Sequence, residues 1–124
     1  MLKKVLAVIT VIAIILGLGH CVLMYLWHYR LTTIDTVTSP DSKYIAFFEE
    51  IGEQDGLFGP SHVKVTVKYS GNGKNFVTVE DSISNDGGGL NDTNWNVEWN
   101  SDNVTITLIG CEQEDKTYTV RLSE

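Results

Sequence analysis

The chain has 124 residues, 43% of them hydrophobic and 20% charged, which allows one domain with a modest core and excludes several. Sixteen acidic residues against nine basic ones leave a net charge of −7, which excludes the basic face that nucleic-acid binding requires. Two cysteines are too few for a disulfide framework.

The first predicted element is a membrane span. Residues 5–27 (VLAVITVIAIILGLGHCVLMYLW) carry no formal charge, and His20 is their one strongly polar member. At about 1.5 Å per residue the run makes a helix of roughly 35 Å. A bilayer's hydrocarbon core is about 30 Å, so there is room for tilt. The run exceeds the roughly 7–15-residue apolar region of a cleaved signal peptide, and Gly17 and Gly19 make a poor cleavage site. Lipid modification of Cys21 needs a small residue before it, where this chain has His20. The reading is an uncleaved anchor that contacts the lipid bilayer through residues 5–27.

Lys3 and Lys4 precede the span and only Arg30 closely follows it. Positive residues stay on the cytoplasmic side, so residues 1–4 are expected as a cytoplasmic stub and the remainder outside. Tyr25, Trp27 and Tyr29 crowd the far end of the span, as aromatic residues do at a lipid–water interface. A linker over residues 28–35 and an exported domain over 36–124 are expected next. Six of the nine basic residues and all sixteen acids follow Arg30, a charge of −10. Such a surface repels anionic lipid and keeps neighbours apart in solution.

Beyond the span the hydrophobic period is 2, as in strands. Weaker signals cover residues 34–38, 43–50 and 75–80. The clearest is HVKVTVKY (62–69), with Val63, Val65, Val67 and Tyr69 on one face. WNVEWN (95–100) sets Trp95, Val97 and Trp99 against Asn96, Glu98 and Asn100; VTITLI (104–109) and KTYTVRL (116–122) repeat the pattern. SGNGK (70–74) and Ser101-Asp102-Asn103 read as hairpin turns. No helical period appears after the anchor. The expected fold is all-β: a small antiparallel β-sandwich or open barrel of about six or seven strands, preceded by one N-terminal transmembrane helix.

SPDSKYIAFFEE (39–50) opens like a propeller blade, with Pro40 at the second position of a turn, where its fixed φ suits. A propeller repeats that unit about every 40 residues, and here it occurs once. Together with the Gly-rich loop GEQDGLFGPSHVKV and the tryptophan hairpin VEWNSDNVTITL, it resembles a family of small bacterial membrane-anchored envelope proteins with an SPDGKY-like turn. The similarity covers roughly residues 36–109. Ser42 departs from it, because the family usually has Gly there. The resemblance implies a bacterial source, an anchored exported domain and no assigned activity, so no catalytic residues carry over.

The candidate partner-binding residues are Leu57, Phe58, Trp95 and Trp99. Leu57 and Phe58 sit between Gly56 and Gly59 in the loop IGEQDGLFGPS, and loops on a rigid sheet commonly carry recognition. The packing alternative, which weighs more, folds Phe58 back to plug one end of the core. Trp95 and Trp99 share a strand face; core packing again outweighs a carbohydrate-stacking platform. Cys111 is expected buried, as free cysteines usually are.

The loop DSISNDGGGLNDTN (81–94) is oxygen-rich, which suits Ca²⁺, but its spacing misses the cation-loop pattern, and a flexible loop is the better reading. His62 is the only His after residue 30. With Cys111 alone it cannot complete a zinc site, and adjacent Ser61 lies on the opposite strand face. No metal, no cofactor and no catalytic residue is expected. The leading function is a non-catalytic, membrane-anchored module that contacts a protein or envelope component. The alternatives are an anchored hydrolase working through acids such as Glu49, Glu50 and Glu53, and an inhibitor or immunity-like protein with an acidic masking face.

Overall fold

The computed structural model describes residues 1–122 and divides the chain into two compact units, one ending at Arg30 and one beginning at Leu31. The first is a single helix, α1 (Leu2–Tyr29). All of its side chains are exposed, and its most apolar stretch has a mean hydropathy of 2.6. It is long and apolar enough to cross a membrane.

Of residues 28–35, expected as a linker, helix and strand together occupy all except Arg30. The Tyr25 and Tyr29 rings meet one turn apart on the same helix face, their centres 4.7 Å apart and their planes tilted by 45°. The Arg30 guanidinium lies over the Trp27 ring at 4.1 Å. Leu31, Thr32 and Thr33 then pair with Ile51, Glu50 and Glu49.

The second unit holds seven antiparallel strands in two sheets. Sheet 1 is β1 (Leu31–Thr38), β2 (Tyr44–Ile51), β3 (Ser61–Tyr69) and β4 (Asn75–Ile83), side by side in that order. Sheet 2 is β5 (Trp95–Trp99), β6 (Asn103–Leu108) and β7 (Lys116–Arg121), with β6 central. Among the described residues the strands form two separate sheets, so the all-β expectation resolves to a sandwich.

Alternation of side chains builds the core. Ala46 and Phe48 of β2, Val63, Val65 and Val67 of β3, and Ile83 of β4 meet Trp95, Val104, Ile106 and Leu108 of sheet 2. Phe48 stacks on Trp95 with ring centres 4.4 Å apart and planes 9° from parallel. Burying one such ring stabilises the fold by about 1.5–3 kcal/mol.

Polar ties close both sides of the sandwich. Above β5, the Trp95 indole N–H donates to Asp35 at 2.9 Å; the bulge between Thr33 and Asp35 in β1 re-aims that carboxylate. At β7, Lys116 Nζ donates to Asp81 and to the Ser82 carbonyl, both at 3.0 Å, and the Tyr118 hydroxyl donates to Asp81.

The register defines two ends of sheet 1. Leu31 pairs with Ile51, Ile51 with His62, and Ser61 with Ile83. The loops 52–60 and 84–94 therefore emerge at the end where β1 begins. The turn after β1 and the hairpin SGNGK lie at the opposite end. In that turn Ser39 N–H donates to the Tyr44 carbonyl, Ser39 Oγ donates to Asp41 Oδ1 at 2.7 Å, and Lys43 N–H donates to the same oxygen at 3.0 Å. These donors, the Ser39 hydroxyl foremost, hold the Asp41 carboxyl below its ordinary value. Ser42 has φ = 61°, a left-handed conformation that glycine adopts without cost.

Candidate functional site

The loop joining β2 to β3 holds two large apolar side chains in the open. Leu57 is 82% exposed and Phe58 73%. The expectation that Phe58 plugs one end of the core is overturned, because the loop's own bonds turn its tip outward. Gln54 Nε2 donates to the carbonyls of Gly56 (2.8 Å) and Leu57 (2.7 Å), and Asp55 N–H donates to the Pro60 carbonyl at 2.9 Å. His62 Nε2 lies 2.8 Å from Asp55 Oδ2 and pins the loop to the start of β3.

Glycine makes the rest of the support. A side chain at Gly59 would collide with the Asp55 backbone. Gly87, in the 84–94 loop, has φ = 75° and brings its backbone against the Leu57 carbonyl, beside the Phe58 ring. The second loop thus buttresses the first. Its order comes from local caps: Asn91 accepts from Thr93 N–H at 2.9 Å and Asn94 accepts from Asn91 N–H at 3.0 Å, around the 3-10 turn Asp92–Asn94. The loop read as flexible is held by these caps at its end and, at its start, by the Ser84 N–H, which donates to Gln113 Oε1 at 2.6 Å.

The four candidate partner-binding residues separate. Leu57 and Phe58 form the tip. Trp95 is buried at 6% exposure between Phe48 and Asp35, so it fills the core, as the reading that weighed more expects, and presents no face to a partner. Trp99 is half-buried at the opposite end, its ring 6.4 Å from Tyr44 and 18° from parallel. With Ser39, Pro40, Asp41 and Leu122 those two rings border a groove of about 210 Å³, below the usual range of roughly 300–1,000 Å³ for ligand pockets. The pair therefore does not form a two-tryptophan platform.

Cys111 is exposed, against the expectation of burial. It follows Gly110, whose backbone packs so closely on Ser84 that a side chain there would collide with its carbonyl.

The acidic residues of the 81–94 segment are dispersed. Asp81 is held by Lys116 and Tyr118. The charge of Asp86 pushes the Glu112 carboxyl above its ordinary value. Among the described residues no three His, Cys, Asp or Glu side chains converge as a metal site. Ser61 is buried while His62 reaches the surface, so the two do not meet as nucleophile and base. Sequence reading found the tip residues but missed Gly87 and Gln54, whose roles depend on which loops adjoin; the period of the strands carries no such signal. Comparison with family models, with curated proteins and with solved structures gives no match.

Proposed function

We propose that the chain is a non-catalytic, membrane-anchored interaction module of a bacterial cell envelope, and that the Leu57–Phe58 tip is its contact element. The observation that carries this reading is a pair of large apolar side chains held outward on a braced loop. Exposed apolar patches on an otherwise polar surface mark interaction sites. The amino terminus lies in the cytoplasm and the β-domain beyond the membrane, supported by Lys3 and Lys4 ahead of the apolar helix. The SPDSKY turn and tryptophan hairpin support the envelope assignment through their family resemblance.

Placing a benzophenone amino acid at Phe58 in the full chain, in intact cells, tests the reading. A covalent adduct formed at position 58 and absent with the same group at Gly71, on the opposite end, is the expected outcome. Equal labelling at both positions overturns it.

A further inference from the structure

We infer that the partner of the Leu57–Phe58 tip is the lipid bilayer itself, so that the β-domain touches the membrane at a second point besides α1. The inference rests on the reading of α1 as an anchor and of the tip as a contact element.

Chain connectivity sets the reach. Only Arg30 separates α1 from β1, and one residue extends at most about 3.6 Å. The start of β1 is therefore tied to the helix end, where Tyr25, Trp27 and Tyr29 mark the interface. Register does the rest. Ile51 pairs directly with Leu31, and His62 pairs with Ile51. Neighbouring strands lie about 4.8 Å apart, so the loop is rooted within roughly 10 Å of the point where the chain leaves the span. The layer between hydrocarbon and water is itself several ångströms deep on each side. A loop rooted there, at that end of the sheet, has lipid within range.

Chemistry selects how it binds. Residues 51–61 and 84–94 contain no Lys or Arg, and they carry Glu53, Asp55, Asp86 and Asp92. Attraction to anionic headgroups is excluded as the driving force, since that requires basic side chains. The Leu and Phe side chains are the residue types that settle at the boundary of headgroup and acyl chain. Two side chains also make a small patch beside the roughly 800 Å² that a protein partner covers on each side. The bracing by Gln54 and Gly87 keeps both side chains presented and lowers the ordering cost of insertion.

The test uses the full chain in nanodiscs of phosphatidylcholine, with Cys21→Ala and Cys111→Ser and a single cysteine at Leu57→Cys, Phe58→Cys or Gly71→Cys. Each carries an environment-sensitive fluorophore. All three sites are exposed, and a side chain at Gly71 meets open space, so folding is not at issue. Lipid-borne nitroxide is expected to remove most emission at positions 57 and 58 and to leave position 71 unchanged, with no dependence on salt. Adding anionic lipid is expected to weaken the effect. Quenching no greater at 57 and 58 than at 71 overturns the inference. If the benzophenone adduct at position 58 then still forms in cells on a protein, the contact reading stands and its lipid partner falls; if no adduct forms, both fall.

Discussion

Ser42 holds a left-handed backbone at φ = 61° while its carbonyl accepts from the Ser70 hydroxyl, so the turn that opens β2 is tied to the hairpin that closes β3. A non-glycine residue in that region carries a penalty of about 1–2 kcal/mol, partly offset because Gly would lose about 0.4–1 kcal/mol more on folding. Ser42→Gly is expected to stabilise the β-domain by up to about 1 kcal/mol, read as a higher urea midpoint by tryptophan fluorescence. Two carboxyls set opposite pH trends. Asp41 has its folded value held down by the Ser39 hydroxyl, so its contribution is present above the ordinary carboxylate range and is lost as pH falls through the folded value. Glu112 has its value raised by Asp86 above an ordinary 4.5, so the fold is relieved below that pH and loses stability as pH rises through the raised value. Glu112→Gln is accordingly expected to raise the melting temperature at pH 7 and to have no such effect at acid pH. An unchanged difference between variant and parent across that range contradicts the assignment. None of these local states was legible from residue types alone. Asp41 and Glu112 are both carboxylates, and only their neighbours, a hydroxyl in one case and a carboxylate in the other, set the direction.

Strands were legible where a polar residue alternates with a valine or isoleucine. HVKVTVKY and VTITL have one reading, since a shift of one residue would bury Lys64 and Lys68 or the Thr105 and Thr107 row. In the structure Thr105 faces Thr119 and Thr107 faces Thr117 across the outer surface of sheet 2, each pair with hydroxyls 3.4 Å apart. The strands that grew beyond expectation did so where tertiary partners override a weak pattern. Leu31–Thr33 joins β1 because β2 offers its backbone. Asp81–Ile83 joins β4 because Asp81 is claimed by Lys116 and Tyr118 and Ile83 by the core. The outward set of Phe58 was hidden for a different reason: an apolar residue in a loop has no period, and its exposure is decided by the facing Gly87. Gly87→Ala is expected to cost about 1 kcal/mol or more, through its positive φ and its contact with Leu57. It should also raise the rate of proteolytic cleavage within residues 52–60. Cleavage at the parental rate would show that the two loops stand independently.

At the scale of the whole chain, the two cysteines offer a clean reading of sidedness. Cys111 is exposed on the β-domain and Cys21 lies within α1. Under the proposed orientation a membrane-impermeant maleimide is expected to modify Cys111 in intact cells without permeabilisation, and a Cys111→Ser chain is expected to take up no label. Modification only after permeabilisation places the domain on the cytoplasmic side. The division into an apolar helix and a β-domain was visible in the sequence because the two halves use different periods and different charge densities. The sandwich, as against a barrel, was not, because closure depends on whether edge strands β1, β4, β5 and β7 find partners, and pattern alone is silent on that.

The strand order has one more consequence. Each sheet is a simple meander in which every strand pairs only with its neighbours in sequence. Nothing made early must wait for a distant late segment to complete its ladder, so a β-domain that leaves a pore with β1 first can zip hairpin after hairpin as it emerges. Short-range pairing of this sort speeds folding. It leaves the apolar inner row of sheet 1 unshielded until β5 to β7 arrive, which is the interval when a chaperone would find something to hold.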